Sequence, residues 1–205
     1  MKVLATRRYP GRALAQLDDL EIAPLQTLTG ARPDVEGLIV ANEPVPLDLL
    51  PSLRIVANFG VGYDRIDVAA LAARGVEVTN TPGVLDAATA DLAFALILAA
   101  RRRIVEGDRF VRSGSWAASW SEGSLAEELT GSTLGIVGLG RIGGAVAARA
   151  RGFELRVLYN GRRRFETALG DFRALDALLA ESDIVTLHLP LTPNTAGIID
   201  RKSHV

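Results

Sequence analysis

The stretch LGIVGLGRIGGAVAARA, residues 134–150, constrains this chain more than any other. Its opening, Leu134-Gly135-Ile136-Val137, is an uninterrupted apolar run of the kind that forms a short strand covered on both faces. The chain then passes through Gly138-Leu139-Gly140-Arg141-Ile142-Gly143 into an alanine-rich segment, residues 145–150, that reads as a helix. Strand, G-x-G-x-x-G and helix in immediate succession are the context in which this motif signals dinucleotide binding; without those flanks it would be an ordinary glycine-rich turn. Gly138 allows the tight turn, Gly140 lets a pyrophosphate approach the backbone, and Gly143 lets the helix lie close on the strand. The helix N-terminus adds unpaired N–H groups and a partial positive charge for the phosphates.

Ahead of this unit the sequence alternates strands and helices. Strands are expected at residues 3–5, within 22–28, at 38–41, 54–59 and 76–79, with helices at 12–20 and 67–74. Asp67 reads as an N-cap and Gly75 as the stop of the second helix. One long helix is expected over residues 86–110, apolar nearly all round at residues 92–98 and emerging into solvent at Arg101-Arg102-Arg103. The pattern is α/β with parallel sheets, a smaller domain preceding the nucleotide-binding one. Trp116 and Trp120 fall in an irregular stretch and suggest either a subunit contact or packing on the parent domain.

Composition limits the partners. A net charge of −1 argues against nucleic acid or an anionic membrane as a partner. The longest apolar run, residues 92–100, is too short to span a bilayer, and the N-terminus lacks the apolar stretch of a signal peptide. The 205 residues contain no cysteine, which fits a cytoplasmic protein and excludes thiolate chemistry. No metal-ligand cluster is evident.

Past the fingerprint, a second strand is expected at residues 155–159. A carboxylate that would accept from the adenosine ribose belongs at its end, about twenty residues past the glycines. Instead the sequence reads Tyr159-Asn160-Gly161-Arg162-Arg163-Arg164, and the first acid is Glu166. Guanidinium groups suit a 2′-phosphate where a carboxylate suits a free hydroxyl, so NADP(H) is expected over NAD(H). A further strand at residues 183–187 leads into His188-Leu189-Pro190-Leu191-Thr192 at its C-terminal end, where open α/β sheets bind ligands. The strands at 133–137, 155–159 and 183–187 should be parallel neighbours with the glycine turn and His188 at the same end.

The chain resembles the D-isomer-specific 2-hydroxyacid dehydrogenases, within them the glyoxylate/hydroxypyruvate reductase group. The motifs that carry the resemblance run in the family's order. They are residues 58–64 (NFGVGYD) with Ile66-Asp67, 74–76 (RGV), 80–83 (NTPG), 88–91 (ATAD), 114–116 (GSW), 134–143 and 188–192 (HLPLT). The resemblance implies a flavodoxin-like substrate domain, residues 1–98, followed by a Rossmann-type dinucleotide-binding domain, residues 99–205, with its parallel sheet incomplete. It implies reversible hydride transfer between a nicotinamide and a small 2-oxo acid, in a cleft between domains, and a homodimer at full length.

Residue by residue, the backbone of Val61 and Gly62 matches the loop that holds the substrate carboxylate. Thr89 matches a cofactor contact, Gly138 to Gly143 the pyrophosphate loop, and Gly161, Arg162 and Arg163 the 2′-phosphate site. Leu189, Pro190 and Thr195 match the adenosine-side strip. In the family the substrate-clamping arginine, the acid and the catalytic histidine lie beyond the position of residue 205, so no catalytic residue is expected in this chain. His188 matches a cofactor-side position, and His204 lies next to the terminus. An open sheet edge and an uncovered apolar face are expected to follow. Three readings stand at this point: a truncated reductase, a noncatalytic NADPH-binding module, and a structural remnant. The intact loop at Val61-Gly62 favours the first.

Overall fold

A computed structural model of the chain describes residues 1–116, 125–165 and 169–200. The chain divides into two units, Met1–Val84 with Pro190–Thr192 and Leu85–Leu189 with Pro193–Val205.

The first unit is built on a five-stranded parallel sheet: β1 (Lys2–Ala5), β2 (Leu20–Ile22), β3 (Val35–Val40), β4 (Ile55–Asn58) and β5 (Glu77–Thr79), in the order β2-β1-β3-β4-β5. That is the flavodoxin-like order, in which the strand sequence reverses beside β1. Leu4, Leu38, Val40, Leu50, Val56 and Leu71 are its buried core. Helix α1 (Val68–Ala73) starts where the sequence suggests, since the Asp67 carboxylate accepts from the Ala70 N–H at 2.9 Å. It stops at Gly75, whose φ of +72° favours glycine. The helix expected over residues 12–20 does not form. A single 3-10 turn at Ala13–Gln16 buries no side chain, and the residues after it pair with β1 as β2, so sheet pairing overrides a weak helical period. β2 accordingly ends where a strand was expected to begin, and Leu25–Thr27 is another 3-10 turn.

The second unit carries a four-stranded parallel sheet in the order β8-β7-β6-β9, made of β6 (Thr133–Val137), β7 (Arg156–Asn160), β8 (Asp171–Phe172) and β9 (Ile184–Leu187). All five residues of β6 are buried, as its apolar run requires of a strand covered on both faces. Val137 pairs with Asn160 on one side and Leu187 on the other, so three strands end level with one another. This Rossmann-type α/β arrangement matches the expected one, with β8 added.

Helices α2 (Asp86–Arg101) and α4 (Arg141–Ala150) cover one face, burying Ala90, Phe94 and Ile97 against Val146, Ala147 and Ala150. Asp91 pairs with Arg149 at 2.7 Å, and the rings of Phe94 and Phe153 stack at 5.1 Å. Packing of α2 into this core places residues 85–101 with the second unit in the contact-based division. On the other face α5 (Leu175–Glu181) lies so near β6 that a side chain at Gly135 would collide with Leu178 and Ser182. The helix expected as one piece over residues 86–110 is two. α3 (Ile104–Arg112) follows a break at Arg103, which takes a left-handed φ of +51° while the Arg102 and Arg103 N–H groups close the last turn of α2. Trp116 is exposed and meets the Phe110 ring edge-on; Trp120 lies outside the described residues. Among the described residues β9 is the sheet's edge, and Val185 and Leu187, with Leu92 and Leu96 of α2, are exposed.

Candidate functional site

Local chemistry places the glycine turn where β6 ends. Gly138 takes a φ of +102°, and a Cβ there would sit 2.5 Å from the His188 carbonyl oxygen and 2.8 Å from Leu189 Cδ2. A Cβ at Gly143 would run into the Gly138 carbonyl, so its absence lets α4 start directly above the turn. Gly140 differs from both. It is exposed, and nothing lies within 4 Å of where its Cβ would be. It is also the N-cap of α4 and no side chain caps that end, leaving the first N–H groups of the helix, Arg141 and Ile142 among them, without a capping acceptor. Two glycines are thus required by packing and one by open space, the arrangement a phosphate cradle needs.

The neighbouring strand ends close around this turn. The Gly138 N–H donates to the Asn160 carbonyl at 2.8 Å, and the His188 N–H to the Val137 carbonyl at 2.9 Å. Gly161 is half-buried, and a Cβ on it would lie 4.0 Å from the Leu139 nitrogen, so the arginine-bearing loop begins against the turn. That loop is held at both ends. Asn160 Nδ2 donates to the Arg173 carbonyl at 2.8 Å. The buried Tyr159 hydroxyl donates to the Phe165 carbonyl at 2.8 Å and accepts from the Phe165 N–H at 2.7 Å. Arg162 and Arg163 between these anchors are exposed, with no carboxylate partner among the described residues. Glu166 lies outside the described residues.

Thr89 of α2 and His188 line one groove of about 620 Å³ with Leu92, Leu96, Val185 and Leu187. The His188 ring is half-buried and shares a hydrogen bond between its Nε2 and Thr186 Oγ1 at 3.0 Å. Burial pushes its pKa below the ordinary value. Leu189 packs with Val137, Leu158 and Leu178 beneath the turn. Pro190 is exposed and groups by contacts with the first unit, whereas Thr195 falls in the second, its carbonyl accepting from the Ile198 N–H at 3.3 Å. The structure therefore gathers Gly138 to Gly143, Gly161 and Leu189 at one place; His204 lies outside the described residues.

In the first unit, Val61 and Gly62 follow β4. Their N–H groups have no acceptor among the described residues, as a loop that receives an anion requires. Sequence reasoning missed what holds these loops: Tyr159 and Asn160 in the second unit, and Asn42, Asn58 and Asn80 in the first. The signal available was position, since the three asparagines sit at or just past the ends of β3, β4 and β5.

Comparison with known proteins agrees with this geometry. Residues 94–203 match the model of the D-isomer specific 2-hydroxyacid dehydrogenase NAD binding domain. The glyoxylate reductase of Korarchaeum cryptofilum is 45% identical over 216 residues, an alignment that takes in 97% of this chain and 65% of that enzyme. A crystal structure of a Thermus thermophilus protein superposes with a TM-score of 0.88 at 40% identity, covering 99% of this chain and 69% of that one. The NADPH-dependent glyoxylate/hydroxypyruvate reductase of Sinorhizobium meliloti, solved with NADP and malonate, gives a TM-score of 0.87 at 31% identity, over 98% and 66% of the two chains. This chain thus spans about two thirds of the length of these relatives. With the motif order, the fingerprint geometry and these likenesses in agreement, the chain belongs to the D-isomer-specific 2-hydroxyacid dehydrogenase family.

Proposed function

We propose that this chain carries the coenzyme site and the carboxylate loop of an NADP(H)-preferring reductase of small 2-oxo acids such as glyoxylate or hydroxypyruvate. The observation that carries the reading is the pairing of an uncapped helix start at Gly140 with an adjoining loop that presents Arg162 and Arg163 where a ribose-binding acid is absent. The similarity to glyoxylate reductases and to an NADPH-dependent glyoxylate/hydroxypyruvate reductase supports it. A bound nicotinamide coenzyme supplies hydride to a carbonyl carbon.

The chain's own residues bind and orient. The N–H groups of Gly140, Arg141 and Ile142 take the pyrophosphate, Arg162 and Arg163 the 2′-phosphate, and Thr89, Leu189, Pro190 and Thr195 complete the coenzyme side. Val61 and Gly62 hold the substrate carboxylate. Charge that develops on the carbonyl oxygen has to be met by a proton or a fixed cation. On this reading His188, whose ring already shares a hydrogen bond with Thr186, is not that donor, and none of the other described residues is assigned the role. The Val61-Gly62 loop separates this reading from a noncatalytic nucleotide module, which has no use for a carboxylate site. The absence of cysteine fits a cytoplasmic protein. No helix among the described residues is long and apolar enough to cross a membrane. The homodimer implied at full length is carried over from the family resemblance alone.

Fluorescence titration with NADPH and NADH tests the coenzyme half of the reading. NADPH should bind the tighter by about tenfold or more, since one charge-assisted contact contributes about 1.5–3 kcal/mol. Equal affinities would remove the role assigned to the arginines.

A further inference from the structure

Asn58 and Asn80 have no place in the functions described so far, yet their side chains account for the conformation of residues 60–63. In a planar trans peptide the C=O and N–H groups point in opposite directions, so fixing the carbonyl of one residue fixes the N–H of the next. The Gly60 carbonyl accepts from Asn58 Nδ2 at 3.1 Å and from the Thr81 N–H at 3.1 Å. The Val61 carbonyl accepts from Asn80 Nδ2 at 2.9 Å. The Gly62 carbonyl accepts from Asn58 Nδ2 at 2.8 Å. Three successive peptide planes are therefore set by two side-chain amides, and the N–H groups of Val61 and Gly62 belong to the first two of them.

The tethers are themselves anchored. Asn58 is 2% exposed, and its Oδ1 accepts from the Asn42 N–H at 2.7 Å, which settles which end of the amide faces the loop. Asn42, in a left-handed conformation at φ +52°, accepts on Oδ1 from the Arg65 N–H at 3.0 Å and donates from Nδ2 to Asp64 Oδ1 at 3.1 Å. The loop is thereby held from β3, β4 and β5 together. A loop of this kind without tethers would have to order itself each time an anion arrived, at a cost in conformational entropy for each residue fixed.

We propose that Asn58 and Asn80 are positioning residues for the substrate carboxylate: by fixing the carbonyls of Gly60, Val61 and Gly62 they hold the Val61 and Gly62 N–H groups ready to donate. This deepens the function proposed above and rests on it. The residues touch no reacting atom; they act through the backbone.

The test is oxamate, an unreactive analogue of a small 2-oxo acid, titrated into the ¹⁵N-labelled 205-residue chain while the amide signals of Val61 and Gly62 are followed. Asn80→Ala is the main variant, because Asn80 is only half-buried and its loss leaves the core untouched; Asn58→Ala is read beside it wherever it folds. In Asn80→Ala oxamate should bind about two- to tenfold more weakly, the span of one neutral hydrogen bond. Tm and the NADPH affinity of the second unit should stay at the parent values. Parent-like oxamate affinity in Asn80→Ala overturns the inference and leaves the proposed function standing. Parallel loss of oxamate and NADPH binding overturns it too, because a general weakening of the fold moves both. If oxamate leaves Val61 and Gly62 unmoved in the parent chain, the carboxylate reading itself falls, and the inference with it.

Discussion

Gly140→Ala separates a glycine kept for a ligand from a glycine kept for packing. Gly140 sits at φ −86° and ψ −156°, an extended conformation that alanine adopts, and the added methyl group meets nothing within 4 Å. Loss of backbone freedom in the unfolded chain should then leave stability unchanged or raise it by about 0.4–1 kcal/mol. On the proposed function, the same methyl would occupy the space through which a pyrophosphate reaches the Arg141 and Ile142 N–H groups. Losing one charge-assisted hydrogen bond costs about 1.5–3 kcal/mol, or roughly 10- to 150-fold in dinucleotide affinity.

Gly143→Ala is the contrast, since its methyl group collides with the Gly138 carbonyl, a backbone atom with little room to retreat. That variant should lose about 1–3 kcal/mol of stability as α4 is pushed off the turn. Urea denaturation followed by circular dichroism, paired with NADPH fluorescence titration, reads both quantities. A Gly140→Ala protein that is destabilised but binds NADPH normally would refute the assignment of the open space to a ligand.

Other outcomes follow from the same structure. Replacing Arg162 and Arg163 together by alanine should cut NADPH affinity about tenfold or more and spare NADH, because the pair is exposed and, on the proposed function, each guanidinium contributes through the extra phosphate alone; equal losses in the two titrations would show only general attraction of anions. Tyr159→Phe removes a hydroxyl that serves both the N–H and the C=O of Phe165. It should cost about 1–3 kcal/mol in urea denaturation by leaving those groups unpaired, and unchanged stability would contradict it. Glu21 is held down at about 2 by its hydrogen bonds from Arg32 and Lys2. A carboxylate with a depressed folded-state pKa contributes stability above its unfolded value of 4.5 and loses it as pH falls toward 2. Glu21→Gln should therefore flatten the fall of the urea midpoint across that range, by a small amount that salt diminishes because the pair faces solvent.

What the sequence revealed and what it hid divide along physical lines. β6 was legible to the residue, because a strand buried on both faces writes an unbroken apolar run and the glycines after it are each required. β8 has two residues, too few to show any period. The helix expected near residues 12–20 failed because pairing with β1 decides the conformation of Leu20–Ile22. The break at Arg103 left no trace, since three arginines serve a helix end and a helix interior equally well. Val61, Gly62 and Arg162 were singled out through motif position, and their roles belong to the proposed function. Their supports were not, because the contacts of Asn58 with Asn42 and of Asn80 with Val61 span 16 and 19 residues and no local pattern encodes them.

The clamp that Tyr159 places on Phe165 has an evolutionary consequence. Between its two ends lie Asn160, Gly161 and three exposed arginines, past the point at Tyr159 where strand β7 leaves the buried core. Substitutions there meet solvent, so they escape the packing constraints that purge most changes in a Rossmann sheet. If the arginines select the coenzyme as proposed, preference for one cellular pool of reducing equivalents over another is in that sense a replaceable cassette. On that reading a lineage could exchange the pool it draws on by drift in a few codons, while the glycine turn and the strands beneath stay as they were.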